Sequence, residues 1–358
     1  MKAAQDFGKW GAMVDVTIRG AGIFGLSIAW ACVARGARVR VIDPGGVGAG
    51  ASGGLVGALA PHTPERWNDK KALQFESLER AEMFWAEVRE TGGHDPHYAR
   101  TGRIQPVGAV DLATERGRNA EELWQGRYDW RVVPVEDFAP FAPLTTSGLV
   151  IHDTLTARVH PRKATQALAA ALQARGVEVV SDGREEGAVI HATGVAGLEA
   201  LNTDQEARVG IPVKGQAALL DFDARDAPQI FVDGLHVVPH GDGTTAIGST
   251  TEIEFTDPAR CDGGLDDILG RIFRLVPALR DITVLERWAG LRPRARSRAP
   301  MLGGWPDRPG QFIANGGFKI GFGMAPVVAE MMAELVLEGR DTIPESFRVA
   351  ASLPKSRR

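Results

Sequence analysis

The sequence predicts a mixed α/β and α+β protein, in which a discontinuous domain with a parallel sheet is interrupted by a domain with an antiparallel sheet. A strand, a glycine turn, a helix and a second strand follow one another between Val14 and Asp43. Similar patterns of strand, glycine turn and helix return after His160 and after Arg292. Much of the chain between them alternates polar and apolar residues. Such alternation is typical of antiparallel strands, and 358 residues are enough for two domains.

The first glycine turn has the spacing of a phosphate-binding turn. It consists of Gly20-Ala21-Gly22-Ile23-Phe24-Gly25. The first glycine permits the tight turn, the second lets the backbone approach a pyrophosphate, and the third lets the helix pack closely on the strand. Asp43 ends the second strand, where a carboxylate accepts hydrogen bonds from a ribose. The stretch therefore predicts a Rossmann-like unit that binds a dinucleotide.

The composition excludes several classes of protein. The net charge is -4, with 24% charged and 44% hydrophobic residues, so nothing overall favours nucleic acid or an anionic membrane as a partner. No apolar run reaches the roughly 20 residues that span a bilayer, and residues 1–13 lack the apolar core of a signal peptide. Cys32 and Cys261 form no disulfide or metal-binding motif and suit a reducing compartment, so we expect a cytoplasmic protein.

A second glycine-rich stretch, residues 44–55, follows the second strand. No new strand enters it, so it does not indicate a second dinucleotide fold. We interpret it as a loop that runs against the cofactor, where small residues allow a close approach of the backbone. A flexible connection is the alternative.

The rest of the chain alternates between α/β segments and segments rich in short strands. An amphipathic helix is predicted over Lys70–Glu90, and short runs divided by proline and glycine predict a strand-rich insertion from Arg103 to Val150. Near the C-terminus, Pro326 fits the first turn of a long apolar helix. The predicted segments are a dinucleotide-binding domain at 14–90, 158–206 and 290–340, a second domain at 91–157 and 207–289, and tails at 1–13 and 341–358.

Motifs in a fixed order along the chain carry a family resemblance. They are the first glycine turn with Asp43, Ala51-Ser52-Gly53-Gly54, Ala192-Thr193-Gly194, Pro212-Val213-Lys214-Gly215-Gln216, Val238-Pro239 with Gly241-Asp242-Gly243 and Gly248, Trp288-Ala289-Gly290-Leu291-Arg292-Pro293, and Gly316-Gly317-Phe318-Lys319 with Gly321 and Ala325-Pro326. With these motifs in this order, the chain from Val14 to about Gly339 resembles the FAD-dependent amino-acid oxidases, the group of D-amino-acid oxidase, glycine oxidase and sarcosine oxidase. The glycine oxidase pattern is nearest.

The resemblance implies FAD in a discontinuous, Rossmann-like FAD-binding domain that an antiparallel-sheet substrate domain covers. It implies non-covalent binding, because no cysteine follows Cys261 for the linkage of sarcosine-oxidase-like enzymes. Beyond the first turn and Asp43, the residues it places at the cofactor are Ala51, Ser52, Gly53, Gly54, Leu55, Val180, Thr193, Gly194, Gly317, Phe318, Lys319, Ile320 and Gly321. For Val180, whose backbone would meet adenine, a plain core position is the alternative.

Three residues are candidates for the reaction itself. Oxidation of an amino acid needs its Cα–H aimed at flavin N5 and a fixed cation for its carboxylate, for which a planar arginine is the best match. The resemblance places Arg292 in that role and Lys319 beside it; a surface arginine and a loop lysine are the alternatives. His236 stands where the glycine oxidase pattern has a tyrosine. It is either a proton acceptor for the substrate or a satisfied structural histidine.

The remaining basic residues leave alternatives open. Arg292, Arg294, Arg296 and Arg298 alternate along the chain, so on a strand they would share one face. Either only Arg292 faces the pocket, or a second arginine of this run binds an acidic group of the substrate. We expect His62 near the flavin ring and His240 in a structural turn. No cluster has metal-ligand spacing, so no metal is predicted.

The resemblance implies FAD-dependent oxidative deamination of a small amino or imino acid, by hydride transfer from the α carbon to flavin N5, with oxygen as acceptor. One alternative is an amino-acid or 2-hydroxy-acid dehydrogenase that uses a quinone or protein acceptor. More remote alternatives are the FAD domain of a tRNA-modification enzyme and a non-catalytic flavoprotein. The implied reaction acts on CH–NH or CH–NH2; no nucleic acid partner is expected, and a homo-oligomer is left open.

Overall fold

The computed structural model describes residues 14–354, which form sixteen strands and eight α-helices. The strands are β1 Val16–Arg19, β2 Val39–Ile42, β3 Ala58–Leu59, β4 Arg103–Pro106, β5 Trp130–Pro134, β6 Leu149–Asp153, β7 Ala157–Arg158, β8 Val179–Val180, β9 Ala188–His191, β10 Gly210–Leu220, β11 Gln229–Val232, β12 Leu235–Pro239, β13 Thr245–Gly248, β14 Val284–Ala295, β15 Met301–Gly304 and β16 Gln311–Asn315. The helices are α1 Ile23–Ala34, α2 Asp69–Gly92, α3 Val110–Leu123, α4 Pro161–Ala174, α5 Gly194–Asp204, α6 Gly263–Leu275, α7 Gly321–Ala333 and α8 Val349–Ser352.

One sheet has six strands in the order β15-β16-β9-β1-β2-β8. Its strands are parallel except β15, which runs antiparallel to β16. Helix α1 is apolar around most of its circumference and packs against α7, α4 and strands of this sheet. A helix that is hydrophobic all round belongs in a protein interior, and residues 23–32 are all buried.

The second large sheet has eight strands in the order β14-β10-β13-β12-β11-β4-β6-β5. It is antiparallel except for the pairing of β4 with β11. Strand β14 runs across the predicted boundary at residue 290, so Arg292 lies in this sheet. The division of the chain into a cofactor domain and a substrate domain remains a prediction.

The predicted helix over Lys70–Glu90 is present as α2. Its first turn is capped by Asn68, whose side chain accepts a hydrogen bond from the Lys71 amide at 3.1 Å. Its end is marked by Gly93 at φ +68°, a conformation that glycine adopts without strain.

Three expectations are corrected. The insertion contains helix α3, which has only two buried residues, Ala113 and Ala120. Residues 341–354 are not a free tail, because Phe347 and Val349 are buried. Pro326 lies in the second turn of α7, since that helix begins at Gly321. The other parts of the predicted tails, 1–13 and 355–358, lie outside the described residues.

We expect Gly25→Ala to destabilise the protein by more than about 2 kcal/mol, because a Cβ there would overlap the carbonyl oxygen of Gly20. Gly270→Ala is the matched control. It lies inside α6, where a Cβ would meet only Arg274 Nη1 at 3.6 Å, so helix propensity predicts a stabilisation of about 1 kcal/mol. Thermal and urea unfolding measure both changes, and equal effects of the two substitutions would contradict the packing argument.

Candidate active site

The start of α1 is built to receive an anion. Gly22 precedes the helix, and no acidic side chain lies in its first turn, so the positive end of its dipole is not neutralised by the helix itself. Ser52 Oγ accepts a hydrogen bond from the Ile23 amide at 2.9 Å and thereby joins the second glycine-rich stretch to this turn. Gly20, at φ +106°, packs so closely on Ala192 that a Cβ would overlap its carbonyl. The turn therefore has room for a bound phosphate and none for side chains.

The carboxylate of Asp43 accepts hydrogen bonds from backbone amides of both glycine-rich stretches. Its Oδ2 accepts a hydrogen bond from the Ala21 amide at 2.7 Å, and its Oδ1 accepts one from the Gly45 amide at 2.9 Å. A carboxylate oxygen has a second lone pair, so both oxygens keep capacity for a ribose hydroxyl. The carbonyl of Val180 accepts from the Asp43 amide at 2.9 Å, which holds the edge strand beside it. The roles of both residues toward adenosine remain predictions.

The second glycine-rich stretch is anchored at several points, which contradicts a flexible connection. Ala51–Gly53 forms a single 3₁₀ turn. The Gly53 carbonyl accepts a hydrogen bond from Arg162 Nε at 2.7 Å, and the Leu55 carbonyl accepts one from His240 Nε2 at 2.9 Å. A Cβ on Gly54 would lie 3.4 Å from the Trp288 ring, so this loop also reaches the eight-stranded sheet.

The third segment of the site is the loop before α7. Gly317 packs against the Phe24 ring, where a Cβ would come within 2.9 Å. The Phe318 amide donates a hydrogen bond to the Pro293 carbonyl at 3.1 Å, which joins the loop to β14. The loop ends at Ile320, the residue before α7, and no acidic side chain lies in the first turn of α7. Two helix starts, those of α1 and α7, therefore meet at one cleft.

Thr193 and Gly194 lie at the end of β9, beside the first glycine turn. Gly194 begins α5 at φ +58°, and its carbonyl accepts a hydrogen bond from Asn315 Nδ2 at 2.8 Å. This contact connects the ends of the neighbouring strands β9 and β16. The structure thus brings together all the predicted cofactor segments.

Arg292 is buried, with 9% of its surface exposed. Its Nη1 donates to Ser249 Oγ and its Nη2 to the Thr250 carbonyl, both at 2.6 Å. Burial lowers the pKa of the guanidinium to about 10, so it stays charged at neutral pH. Its side chain lies over Gly215, where a Cβ would overlap it. No carboxylate among residues 14–354 forms a salt bridge with Arg292, so its charge is available to an anionic ligand.

Lys319 adds a second positive charge to this corner of the cleft. Its Nζ lies 5.8 Å from the centre of the Phe318 ring, and Arg292 Cζ lies 5.2 Å from the same ring. The surrounding protein and the charge of Arg292 lower the pKa of Lys319, although much of its side chain is exposed. Arg292 and Lys319 are therefore close enough to interact electrostatically, as a site for one carboxylate requires.

His236 shares a face of the eight-stranded sheet with Arg292, and we call this face the site face. Residues that pair directly on neighbouring strands lie on the same face of a sheet. His236 pairs with Gly248, which in turn pairs with Ala217. Ala217 pairs with Trp288 on β14. Arg292 follows Trp288 by four positions on β14 and so points the same way. The pleat therefore brings His236 and Arg292 to one surface.

The surroundings keep His236 neutral. Burial, with the charges of Arg103 and Lys319, lowers its pKa to about 3. Its Nδ1 has no hydrogen-bond partner among residues 14–354, and its ring lies 4.7 Å from that of Phe231. A neutral imidazole can exchange a hydrogen bond with a ligand, whereas a pKa near 3 makes it a weak base at neutral pH.

The other two predicted histidines have partners inside the protein. His62 contacts Gln74 through Nδ1, and burial lowers its pKa. His240 belongs to a row of rings in which His160 lies 4.5 Å from His240 and 6.3 Å from His97. The structural role expected for His240 agrees with its bond to the Leu55 carbonyl.

The arginine run does not form the predicted continuous face. Strand β14 ends at Ala295, so Arg296 and Arg298 lie beyond it, and the Arg298 carbonyl instead accepts a hydrogen bond from Lys70 Nζ at 2.6 Å. Arg294 stays in the strand, with Cζ 5.7 Å from the Phe318 ring. Only the first two arginines can share the site face.

Sequence reasoning missed the residues that hold and extend the site. Ser249 and Thr250, which fix Arg292, follow β13 in a Gly-Ser-Thr-Thr run that gave no motif. Arg103, whose charge reaches both His62 and His236, begins a strand in the insertion where few residues matched any pattern. The sequence signal for Arg103 is a basic residue at the start of the short strand Arg103–Pro106.

Residues 14–354 contain neither a candidate metal site nor a candidate membrane-spanning helix. No group of three or more histidine, cysteine, aspartate or glutamate side chains in this range could hold a metal ion. None of the helices described is long and apolar enough to cross a membrane.

The fold and the site define a dinucleotide-dependent enzyme with a phosphate-binding turn, a second helix start and a cationic sheet face. The family described as "DAO: FAD dependent oxidoreductase" matches residues 15–335, so the chain belongs to this family and FAD is its cofactor. This match, together with relatives named glycine oxidase, confirms the resemblance stated from the motifs.

Among curated proteins, glycine oxidases from Geobacillus kaustophilus and Pseudomonas aeruginosa are each 26% identical to the chain. The alignments cover 90% and 92% of this chain and 92% and 96% of those proteins. Among solved structures, iminodiacetate oxidase from Chelativorans has a TM-score of 0.80 at 23% identity, covering 93% of this chain and 98% of that one. These structural similarities confirm the predicted fold class.

We expect the free energy of unfolding to fall as the pH decreases below about 6.5, because the unfolded chain protonates histidines that the folded protein keeps neutral. Burial lowers the pKa of His240 to about 3, and its side chain is wholly inaccessible. His240→Gln should therefore reduce the pH dependence by up to about 1.4 kcal/mol per pH unit between pH 6 and pH 4.

Urea unfolding at several pH values measures this slope. His94→Gln is the control, because His94 is exposed and its substitution should leave the slope unchanged. An unchanged slope in His240→Gln would contradict the assignment of a neutral, buried His240.

Proposed function

We propose that this enzyme oxidises a small amino or imino acid at its CH–NH2 or CH–NH bond, with oxygen as electron acceptor. The proposal rests on the buried Arg292, which forms no salt bridge with a carboxylate of residues 14–354 and shares the site face with neutral His236. Curated relatives named glycine oxidase, which align over nearly the whole chain, support the choice of an amino-acid substrate. Cys32 and Cys261 are unpaired, which suits our placement of the reaction in the cytoplasm.

The residues of this chain fit FAD as the bound group. The first glycine turn and Asp43 would hold its pyrophosphate and ribose, and the loop Gly317–Gly321 would lie at its ring. When bound, FAD supplies a flavin N5 that accepts a hydride from the substrate α carbon. The chain's own task is to bind the substrate in one orientation, which supplies much of the rate.

Arg292 fixes the orientation by binding the substrate carboxylate. Its hydrogen bonds to Ser249 and Thr250 hold the guanidinium plane in place, so little side-chain freedom is lost when the substrate binds. Lys319 adds a second positive charge at the same corner and stabilises the bound carboxylate further.

His236 orients the substrate amine. Its pKa near 3 argues against a base at neutral pH, so of the two roles weighed from the sequence we propose hydrogen bonding and not proton abstraction. The amine enters as the free base or loses its proton to water, and its lone pair then stabilises the carbon from which the hydride leaves.

The test is anaerobic reduction of the bound flavin by glycine, sarcosine, D- and L-alanine, proline and matching 2-hydroxy acids, followed by absorbance. We expect amino or imino acids to bleach the flavin and air to restore it with one peroxide per turnover. Bleaching by 2-hydroxy acids alone would overturn the proposed substrate class. Bleaching of the flavin without formation of peroxide in air would show that the electron acceptor is not oxygen.

Arg292→Lys should lower kcat/KM about 10- to 100-fold, mostly through KM, because a lysine cannot reproduce the planar guanidinium contacts. Arg287→Lys on the same strand is the control, since Arg287 is exposed and pairs with Asp266 at 2.7 Å. Steady-state kinetics measure the difference, and flavin absorbance and thermal unfolding show whether both variants are folded and loaded. Equal kinetics in the two variants would remove Arg292 from the substrate site.

A further inference from the structure

Arg103 is a buried arginine that the proposed reaction does not use. It begins β4, only 6% of its surface is exposed, and its Nε donates a hydrogen bond to Asp153 Oδ2 at 2.9 Å. Asp153 is fully buried, and its Oδ1 accepts a second hydrogen bond from the Thr156 amide at 2.9 Å. The carboxylate is therefore fixed by the fold, and it holds the guanidinium in one place.

Most of the hydrogen-bonding capacity of Arg103 is unused. Among residues 14–354 only its Nε has a hydrogen-bond partner, and the terminal nitrogens have none. Instead, its Cζ lies 5.8 Å from the Phe231 ring and 5.9 Å from the Trp130 ring, which offer no carboxylate. Two terminal nitrogens in one plane are the geometry that a carboxylate matches, so the unused edge of Arg103 suits an anionic ligand.

The register places Arg103 on the site face. Arg103 pairs directly with Gln229, which precedes Phe231 by two positions, and Phe231 pairs with His236. Arg103, Gln229 and Phe231 therefore point to the same side as His236 and Arg292. His236 lies between the two arginines in the strand order, because β12 separates β13 and β10 from β11 and β4.

The electrostatics of the cleft agree with this placement. The positive charge of Arg103 contributes to the lowered pKa of both His236 and His62, so its guanidinium lies within electrostatic reach of both rings. His236 lies on the site face, and His62 follows the second glycine-rich stretch, which we place at the cofactor. Arg103 and Lys319 therefore both lie within electrostatic reach of His236.

We propose that Arg103 binds a second carboxylate of the substrate, so that the enzyme takes amino or imino acids with two carboxylates, such as aspartate, glutamate or iminodiacetate. This inference rests on the proposed function. Arg292 and Lys319 hold the carboxylate next to the reacting carbon, His236 contacts the amine, and Arg103 holds the distal carboxylate. A substrate with one carboxylate leaves the terminal nitrogens of Arg103 without an anionic partner, so it forms fewer charge-assisted hydrogen bonds than a dicarboxylate.

The test compares substrates that differ by one carboxylate: iminodiacetate against sarcosine, and aspartate against 2-aminobutyrate, each as both enantiomers where the compound is chiral. For the wild-type holoenzyme we expect kcat/KM to be at least tenfold higher for the dicarboxylate of each pair. In Arg103→Met this ratio should fall at least tenfold. Arg131→Met removes an exposed arginine from the same sheet and should keep the wild-type ratio.

A measurement on the wild-type holoenzyme keeps the test independent of whether the variant folds. Succinate and butyrate are titrated into the enzyme, and their binding is followed through the flavin absorbance spectrum. We expect a dissociation constant at least tenfold lower for succinate. Equal constants, together with equal kcat/KM within each substrate pair, would overturn the role of Arg103 and leave the proposed function standing.

The proposed function fails in a different way. If no amino or imino acid with one or two carboxylates bleaches the flavin, the proposed reaction is wrong. The titration with succinate and butyrate still reports on Arg103 in that case, because it needs no turnover.

Discussion

The structure depends on the close contact of backbone with backbone around the first glycine turn. Gly25 brings α1 against the Gly20 carbonyl, and Gly20 in turn lies against the end of β9 at Ala192. The loop before α7 closes on the same place through Gly317 and Phe24. Segments far apart in the chain therefore meet where two helix starts leave N–H groups and positive dipole ends for an anion. A side chain at these glycines would overlap the neighbouring protein atoms and force the segments apart.

The eight-stranded sheet carries the residues to which we assign substrate binding. Its site face carries positive charges at both sides and a neutral histidine between them, and its glycines leave space for the long arginine side chains. Arg292 is held by hydroxyl and carbonyl groups and Arg103 by a buried carboxylate. Arg292 forms no salt bridge with a carboxylate of residues 14–354, whereas Arg103 keeps the hydrogen-bonding edge that Asp153 does not use. Substrate orientation thus follows from sheet register.

Burial decides how the titratable groups of the site behave. The loss of water around His236 and the nearby positive charges keep its ring neutral. The same loss of water leaves Arg292 charged, because its ordinary pKa is far above neutrality. One environment therefore gives two outcomes, a fixed cation for the carboxylate and an uncharged partner for the amine. This combination favours binding and orientation over acid–base catalysis by the protein.

The sequence by itself determined the fold class, since glycine spacing and strand or helix periodicity are local patterns that survive without the fold. The choice of FAD and the role predicted for Arg292 came from the family resemblance of motifs in a fixed order. The sequence did not reveal α3, in which only Ala113 and Ala120 are buried, nor the buried Phe347, which packs in a core formed by segments distant in the chain. Only the tertiary structure decided which arginines face the site: Arg296 and Arg298 leave the strand, and Arg103 reaches the site face from the insertion. Pairing between distant strands sets that face, and no local pattern records which strands become neighbours.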